Sequence, residues 1–494
     1  MAIIPIFMIA SGLFAAGDPI VIDARHQLFL DDTLVASMEN VTRCVQPATK
    51  FAGNPVLRPT EPWEGDVVIV YGSILRDGDR YRAWYHAGPG VCYAESEDGI
   101  TWTKPRLDVI LVDGAPTNIL IDRDAAPDSP NALPHFYEVF GVSNDDREAD
   151  PERRYKMGFL SIERDYTGPR QDPFHGNQRR GLAVAGSPDG IHWTLIDSWS
   201  TEAICDGATH WMFDPARDKY VLYGRTKYIA PEVKEAWAGD AWAQANFWGR
   251  SVARTESPDF LDWDFKDPAS APVVMTVDPA DAPATEIYSM QVFPYEGAYI
   301  GLVQAFLSRP EGTLLELQLA ASPDGVAFTR VADRAPFIPC GPVSSWDRFN
   351  NSAANNPPIE IGDELRFYYG GRTYRHSPYE GDDKGDSGGY IGFASIQRDR
   401  FVSLEASFDG GTVTTPPVML PSAAVHVNAK ADFGEIRVTL LDKEGAVVAE
   451  SEPIRQDGLD IPVAWTGDAP ARLDEPVALR FALRNAKLFA FWCP

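Results

Sequence analysis

The chain has 494 residues, of which 44% are hydrophobic and 23% are charged, so it can bury one large core or two and is not disordered. Its 71 acidic and 44 basic residues give a formal net charge of -27, a field that repels phosphate backbones and anionic bilayers. Nucleic acid is therefore excluded as a favoured partner. The same net charge is compatible with binding a neutral sugar, or an anionic sugar in a locally basic pocket.

The first predicted element is an apolar run at residues 1–16, which ends in small residues before Gly17. Such a run is typical of a secretory signal peptide, so we expect a secreted or periplasmic bacterial protein. The run has no Lys or Arg near its start, and a buried N-terminal strand is the alternative. No other stretch reaches the ~18 apolar residues that a membrane-spanning helix needs.

The five cysteines are scattered and show neither a Cys-x-x-Cys motif nor the Cys/His spacing of a zinc site; they are Cys44, Cys92, Cys205, Cys340 and Cys493. Because their number is odd, at least one is unpaired within the chain. We expect small buried side chains here rather than a disulfide framework.

A repeated turn of the form Ser-x-Asp-Gly-x-x-Trp organises the middle of the chain. Copies of this turn lie at residues 96–102 and 187–193, each after an apolar or aromatic strand. Altered copies lie at residues 257–263 and 322–328. A fifth, more divergent unit spans residues 365–401. In such a turn Asp accepts backbone hydrogen bonds, Gly supplies a positive φ, and the aromatic ring packs between neighbouring sheets. The motif therefore indicates structure rather than catalysis.

Five such units predict an all-β protein with a five-bladed β-propeller over residues 17–406, in which four-stranded sheets surround a channel. Residues 20–36 alternate apolar and polar side chains and are expected to close the ring against the last blade. A different period-two pattern over residues 407–494 predicts a C-terminal β-sandwich, expected to stabilise the protein by packing. The innermost strands are expected at residues 66–73, 136–142, 209–213, 287–294 and 352–361.

Four segments carry a resemblance to a known group of enzymes: residues 87–102, 250–257, 337–342 and 368–371. On these architectural segments the chain resembles the five-bladed β-propeller glycosidases of the group that contains glycoside hydrolase families 32 and 43, and more closely its uncharacterised bacterial branch. The resemblance implies catalytic carboxylates at the channel-facing starts of the inner strands. The Asn-Asp-Pro-Asn-Gly and Arg-Asp-Pro motifs of family 32 are not intact here, which argues against fructan hydrolysis.

Glycoside cleavage needs one carboxylic acid that protonates the leaving oxygen and one carboxylate that acts as a nucleophile or activates water. Asp66 is the candidate base or nucleophile, with turn capping as the alternative. Asp206 is a candidate pKa modulator or acid, or else part of a simple turn. Glu286 is the candidate acid, because its apolar neighbours in the sequence are expected to raise its pKa by desolvation.

Polar side chains near the same strand starts are candidates for binding sugar hydroxyls: His135, Glu138, His210, Tyr288, Asn350 and Asn351. The alternatives are structural histidines and loop-capping amides. Residues 228–248 add Trp237, Trp242, Phe247 and Trp248, whose rings are expected either to stack on sugar faces or to form the core of a lid. The arginines within residues 164–180 would favour a uronate or sulfate, unless they form a solvated basic loop.

The sequence thus predicts a glycosidase, an O-glycosyl hydrolase that cleaves a poly- or oligosaccharide with paired carboxylates in the axial pocket. The alternative is a non-catalytic carbohydrate-binding propeller that lacks the pair. A phosphorolytic relative would need two or more Arg or His at the channel, where only His135 and His210 qualify from the sequence. No cofactor and no metal-ligand set is predicted, although a ring of His and carboxylates in the channel could hold a divalent cation.

Overall fold

A computed structural model gives the fold, and it describes residues 19–168, 177–201, 209–264, 272–309, 313–376, 387–468 and 470–494. The described residues form mostly β-strands, with two short α-helices and two 3-10 helices, Pro62–Glu64 and Pro151–Arg153. They fall into two compact units: unit 1 combines the described part of Met1–Gln46 with Gln397–Pro494, and unit 2 is Pro47–Ile396. The predicted signal peptide, residues 1–16, lies outside the described residues.

The N-terminal segment of unit 1 contributes four short strands: β1 (Ile20–Val21), β2 (Gln27–Leu28), β3 (Ser37–Glu39) and β4 (Thr42–Val45).

Unit 2 begins with β5 (Thr49–Lys50), and three four-stranded antiparallel sheets follow. The first sheet contains β6 (Val68–Asp77), β7 (Arg80–Ala87), β8 (Gly90–Ser96) and β11 (Ile119–Asp122), with a separate hairpin of β9 (Leu107–Val112) and β10 (Ala115–Thr117). The second contains β12 (Phe136–Asn144), β13 (Tyr155–Arg164), β14 (Gln178–Ser187) and β15 (Thr194–Thr201). The third contains β16 (His210–Asp214), β17 (Lys219–Lys227), β18 (Arg250–Ser257) and β19 (Val273–Met275), with helices α1 (Pro231–Ala236) and α2 (Ala241–Asn246) between β17 and β18.

A ten-stranded sheet completes unit 2 by joining two groups of strands. The first group is β20 (Thr285–Tyr295), β21 (Ala298–Leu307), β22 (Leu314–Ser322), β23 (Thr329–Arg330) and β24 (Pro336–Ile338). The second is β25 (Asn350–Ala353), β26 (Ile359–Ile361), β27 (Glu364–Arg372), β28 (Gly389–Gln397) and β5. A parallel pairing of Leu315 with Asn350 connects the two groups.

The strand that closes the last group is β5, whose residues Thr49 and Lys50 pair with Ser395 and Ala394 of β28. The prediction that residues 20–36 close it is therefore wrong. The apolar side chains of that segment, Ile22, Phe29 and Leu34 among them, pack instead in the core of unit 1. Period-two alternation identified a strand-forming segment but could not identify the sheet that it joins.

Buried apolar clusters join consecutive sheets of unit 2. The first and second sheets share a cluster with Trp84 and Trp193, the second and third share one with Leu160 and Trp263, and the third and the β20–β24 group share one with Val221 and Met290. The β25–β28 group and the first sheet share a cluster with Tyr81 and Tyr368.

The repeated turns have the predicted geometry, which confirms their structural role. In the first copy, Asp98 Oδ1 accepts hydrogen bonds of 2.7 Å from the backbone N–H groups of Ile100 and Thr101, and Gly99 has φ +70°. The same two acceptor bonds recur at Asp189, Asp259 and Asp324. In the third copy Phe260 replaces the glycine, keeps a positive φ of 67° and is fully buried among aromatic rings.

The C-terminal segment of unit 1 adds β29 (Val402–Ala406), β30 (Gly411–Thr414), β31 (Val418–Met419), β32 (His426–Lys430), β33 (Glu435–Leu441), β34 (Val447–Glu450), β35 (Asp457–Pro462), β36 (Ala478–Arg484) and β37 (Ala486–Trp492). One sheet has the order β35-β32-β37-β29-β4 with β2 beside β37, a second has the order β3-β30-β36-β33-β34, and β1 pairs with β31. Side chains of both larger sheets, such as Phe481 and Phe491, share one core. The boundary at Ile396–Gln397 precedes the predicted one at residue 407, and the described residues before Pro47 belong to unit 1 rather than to the predicted 17–406 domain.

Candidate functional site

The first strands of successive groups in unit 2 contact one another. Strand β6 contacts β12 and β25, β12 contacts β16, and β16 contacts β20. Four of the predicted inner strands overlap β6, β12, β16 and β20, whereas residues 352–361 span the end of β25, a loop and β26. The candidate site lies where the inner strands begin.

Asn355 fills the space between several of these strands. Its backbone N–H donates to the Gly72 carbonyl at 2.9 Å, its Oδ1 accepts from the Trp211 N–H at 3.1 Å, and the same Oδ1 lies 3.1 Å from His210 Nδ1. A Cβ atom at Gly141 would lie only 1.8 Å from Asn355 Nδ2. The first three sheets therefore all contact one residue, Asn355, that the sequence did not identify; the lack of a side chain at residue 141 within a strand was the available signal.

Glu286 lies at the start of β20 and is fully buried. Its Oε1 accepts a 2.8 Å hydrogen bond from the Trp248 backbone N–H, and its Oε2 forms an ion pair with the Arg250 guanidinium. Glu286 therefore has a cationic partner, Arg250, in addition to the apolar neighbours expected from the sequence. The sequence pattern along β20 could not reveal this, because Arg250 comes from β18 in the adjoining sheet.

Tyr288, two residues further along β20, connects several side chains of the site. Its hydroxyl lies 3.0 Å from His376 Nε2, its ring packs edge-to-face on Phe306 at 6.0 Å, and the Arg225 guanidinium carbon lies 4.0 Å from the ring centroid. Arg225 also donates to the Tyr288 carbonyl at 3.0 Å. Tyr288 is buried and held in place by groups from three strand groups.

A second polar group surrounds Tyr71 of β6. Burial raises the pKa of Tyr71 well above its ordinary value; Tyr288 and Glu138 add to this shift, whereas Arg372 opposes it. The Arg372 guanidinium carbon lies 5.8 Å from the Tyr71 ring centroid. Glu138, predicted to bind sugar, thus belongs to the same electrostatic neighbourhood as Tyr288.

Among the described residues, the predicted carboxylate Asp66 does not join this network. Asp66 is exposed, and its backbone oxygen accepts from the Gly389 N–H at 3.2 Å. Among the described residues, no hydrogen bond or ion pair connects the Asp66 side chain to Glu286 or Tyr288. Asp206 lies outside the described residues. His135 is exposed with φ 61°, and its ring lies 5.7 Å from that of Trp199.

Three predicted sugar ligands are buried and bonded within the protein. Burial lowers the pKa of His210 to about 4, although its contact with Asn355 acts in the opposite direction. The Asn351 Nδ2 donates to the Pro339 carbonyl at 2.9 Å, and the Asn350 Oδ1 lies 3.4 Å from Gln304 Nε2. These bonds match the structural alternative, and a role in sugar binding stays a prediction.

The tryptophans of residues 228–248 differ in exposure. Trp237 is buried against Phe247 at a ring distance of 5.0 Å, as expected for a lid core. The Trp242 indole donates to the Ser308 carbonyl at 2.7 Å. Trp248, in contrast, is 55% exposed, and Lys227 Nζ lies 4.8 Å from its ring centroid. The sequence placed Trp248 in this segment, but only the structure shows that it is the exposed ring beside Glu286.

A cavity of about 450 Å³ lies at the opposite ends of the same strands. Its walls are mainly apolar and include Leu75, Val142, Phe213 and Pro294. Asn355 also lines this cavity. It is a separate region from the strand starts that carry Glu286.

Within the part of the chain that the structure describes, no cluster of three or more His, Cys, Asp or Glu side chains is placed to hold a metal ion. A divalent cation in the channel stays a prediction. Of the described cysteines, Cys92, Cys340 and Cys493 are free thiols. None of the described helices has both the length and the apolar character needed to cross a membrane.

No family model and no curated protein sequence matches the chain. Three similar solved structures illustrate the matches. A GH130 protein, from a study of mannoside phosphorylases and of hydrolases that target β-1,2 mannosidic linkages in Candida mannan, is 14% identical, with coverage of 75% of this chain and 97% of that one and a TM-score of 0.45. A family 43 arabinoxylan arabinofuranohydrolase from Bacillus subtilis is 12% identical, with coverages of 90% and 99% and a TM-score of 0.40. An N-acetylgalactosamine deacetylase from F. plautii is 16% identical, with coverages of 77% and 96% and a TM-score of 0.40. At these values the similarities assign neither a family nor an activity to the chain.

Proposed function

We propose that unit 2 is a five-bladed β-propeller and that unit 1 is a β-sandwich. Three four-stranded sheets and the two groups of the ten-stranded sheet supply five sets of strands, and apolar clusters join neighbouring sets, the last one to the first. Two larger sheets around one core support the sandwich in unit 1.

We propose that the chain is a glycoside hydrolase whose pocket lies at the starts of β6, β12 and β20. The observation that carries this proposal is the contact between Trp248 and Glu286. The backbone N–H of Trp248 donates to the buried carboxylate, while its indole ring is 55% exposed. A ring that stacks on a sugar face would hold that sugar next to a carboxylate and a tyrosine.

In this proposal Glu286 acts as a carboxylate, because Arg250 and the Trp248 N–H both donate to its oxygens. It would accept a proton from water as the water oxygen bonds to the anomeric carbon, or attack that carbon itself. The general acid gives its proton to the glycosidic oxygen as the C–O bond breaks and its electron pair passes to that oxygen. Asp66, which is exposed, and Asp206, which lies outside the described residues, are the candidates for that acid, and this proposal revises the sequence-based assignment of Glu286 as the acid.

A non-catalytic carbohydrate-binding protein is the second candidate. The ion pair of Glu286 with Arg250 favours it, because structural carboxylates are bonded in the same way. In that case the exposed Trp248 ring would bind a glycan that is never cleaved.

The deciding experiment measures hydrolysis of a panel of aryl glycosides and polysaccharides by wild type and by the Glu286→Gln, Asp66→Asn and Glu360→Gln variants. Glu360 is an exposed residue of β26 and serves as the matched control. We expect Glu286→Gln and Asp66→Asn to lower kcat/KM by at least about 100-fold with little change in KM, and Glu360→Gln to match wild type. A wild type that binds a glycan tightly and cleaves nothing would establish the binding protein instead.

We also propose that the protein is exported, to the periplasm or out of the cell, with residues 1–16 removed as a signal peptide. The apolar run and its small-residue end support this. Mass spectrometry of the protein recovered from the periplasm and the medium of a bacterial host tests it. Recovery of only an uncleaved cytoplasmic chain would contradict the proposal.

A further inference from the structure

We propose that the Arg372 pocket, defined by Arg372, Tyr71, Tyr374, His86 and Glu138, binds an oxyanion. The oxyanion is either an acidic group of the sugar or inorganic phosphate, since both present oxygens that a guanidinium can bind in a bidentate manner. The inference rests on the proposed glycosidase function and deepens it by naming the chemical class of the ligand.

The first observation is the lack of an acceptor for Arg372. It is the last residue of β27, is partly buried, and has its guanidinium carbon 5.8 Å from the Tyr71 ring centroid and 5.6 Å from that of Tyr374. Within the described residues its guanidinium forms no hydrogen bond and no ion pair. Its five N–H donors therefore have no carboxylate acceptor there.

Three other arginines with little exposed surface do have a carboxylate partner. Arg254 pairs with Glu256 at 2.7 Å, Arg400 with Asp457 at 2.6 Å, and Arg334 with Asp281 at 2.9 Å. Removing a guanidinium from water without an acceptor costs free energy, so a protein that keeps one in a pocket usually supplies its counter-ion from a ligand. Stacking on Tyr71 and Tyr374 offsets part of that cost but leaves the N–H donors open.

The second observation is the positive field around the pocket. The pKa of His86 is lowered to about 4, first by burial and then by Arg123 and Arg372. Arg123 Nη2 lies 3.4 Å from His86 Nε2 and 3.1 Å from the Tyr137 carbonyl oxygen. Two guanidinium groups thus act on one imidazole, in a chain with 71 acidic and only 44 basic residues.

Glu138 is a carboxylate whose charge acts on both Tyr71 and Arg372. No ion pair within 4 Å joins Glu138 to Arg372, so this carboxylate does not occupy the guanidinium donors. Tyr71 and Tyr288 add two hydroxyl groups that can donate to the same ligand oxygens. An oxyanion would therefore meet a guanidinium and hydroxyl donors supplied by three different strands.

The test measures binding of three probes at constant ionic strength, by calorimetry and by thermal shift: inorganic phosphate, D-glucuronate and D-glucose. The variants are Arg372→Met and Arg372→Lys, with Arg76→Met, an exposed arginine of β6, as the matched control. We expect wild type and Arg76→Met to bind phosphate or glucuronate but not glucose. Arg372→Met should weaken that binding at least about tenfold, and Arg372→Lys, which keeps the charge but loses the fork, should weaken it severalfold.

Binding of phosphate alone identifies free phosphate as the ligand, and binding of glucuronate alone identifies an acidic sugar; either supports the proposal. A wild type that binds neither probe, or an Arg372→Met variant with unchanged affinity, overturns it. Circular dichroism checks the fold, and if Arg372→Met does not fold, Arg372→Lys decides. Cleavage of neutral glycosides without oxyanion binding would refute only this inference, whereas oxyanion binding without any cleavage would refute only the glycosidase proposal.

Discussion

The indole Nε1 of Trp84 in the first sheet donates a 2.7 Å hydrogen bond to the carbonyl oxygen of Gly190, 106 positions further along the chain. The same contact recurs elsewhere: the Tyr368 hydroxyl donates to the Gly99 carbonyl at 2.7 Å, and the Tyr223 hydroxyl donates to the Gly325 carbonyl at 2.8 Å. Three of the four repeated turns are thus fixed to an aromatic side chain of an adjacent set of strands.

Trp84→Phe is expected to lower the free energy of unfolding by about 2 to 3 kcal/mol, because it leaves the Gly190 carbonyl without its donor and opens a small cavity at a fully buried position. Urea denaturation followed by circular dichroism measures the change. Trp102→Phe is the control, since the buried Trp102 Nε1 has no hydrogen-bond partner among the described residues and its loss should cost less than about 1 kcal/mol. Equal costs at both positions would contradict the role assigned to the Trp84 bond.

The buried His210 predicts a loss of stability in mild acid. Its pKa is about 4 in the folded protein and 6.5 ordinarily, so between these values the unfolded chain binds the proton and the folded chain does not. Stability should therefore fall as the pH falls below about 6.5, by about 2 kcal/mol at about pH 5. Unfolding free energies measured from about pH 7.5 to about pH 5 give the slope. His210→Asn, whose amide can still donate to Asn355, should have a shallower slope over this range; an unchanged slope would argue against this titration.

Two carboxylates separated by one residue should respond in opposite ways to neutralisation. Glu64 is buried and accepts from the Thr60 N–H at 2.8 Å, the Tyr85 hydroxyl at 2.6 Å and Lys104 Nζ at 2.5 Å. Glu64→Gln should therefore destabilise the protein by about 3 kcal/mol, because Lys104 keeps a buried charge without its partner. Asp66→Asn, at an exposed position, should change stability by less than about 0.5 kcal/mol. Thermal denaturation of both variants checks this, and a large loss for Asp66→Asn would indicate a structural role for Asp66.

The closing strand β5 is fixed by an ion pair of 2.6 Å between Nζ of the partly buried Lys50 and Oδ2 of the buried Asp347. Asp347 also accepts from the Tyr369 hydroxyl at 2.8 Å. Lys50→Met should cost about 2 to 3 kcal/mol, because it leaves the Asp347 carboxylate buried without a cation. Introducing Asp347→Asn should lower the free energy of unfolding less in the Lys50→Met variant than in wild type. The double-mutant cycle should give a coupling energy of at least about 1 kcal/mol. Strict additivity would show that the pair contributes nothing to closure.

The sequence predicts the local structure of unit 2 well, because each repeated turn is stabilised by hydrogen bonds among its own residues. The expected inner strand at residues 136–142 corresponds to β12 (Phe136–Asn144), and that at residues 287–294 lies within β20 (Thr285–Tyr295). Asp98 and its counterparts bond as expected because all their partners lie within three residues. The assignment of residues 20–36 fails for the opposite reason: their partners in unit 1 lie more than 370 positions away.

The candidate site was predicted only in part. Glu286, Tyr288 and Glu138 were identified because they begin inner strands. Arg372 and His86 were not, since one ends β27, the other lies on β7, and neither belongs to a motif. Which cation faces which carboxylate depends on neighbouring strand groups, as the pairing of Arg250 with Glu286 illustrates.

Unit 1 is assembled from both ends of the chain, and this affects the order in which a ribosome-bound protein can fold. Strands β2, β3 and β4 are synthesised before unit 2, yet they pair with β37, β30 and β29, which are synthesised after it. All of unit 2 is synthesised in between and has its own core to fold around. The early strands must therefore wait with unpaired edges until unit 2 and the later strands have been synthesised, and a nascent chain that stalls before β37 would leave Phe29 without Phe491, one of its core partners.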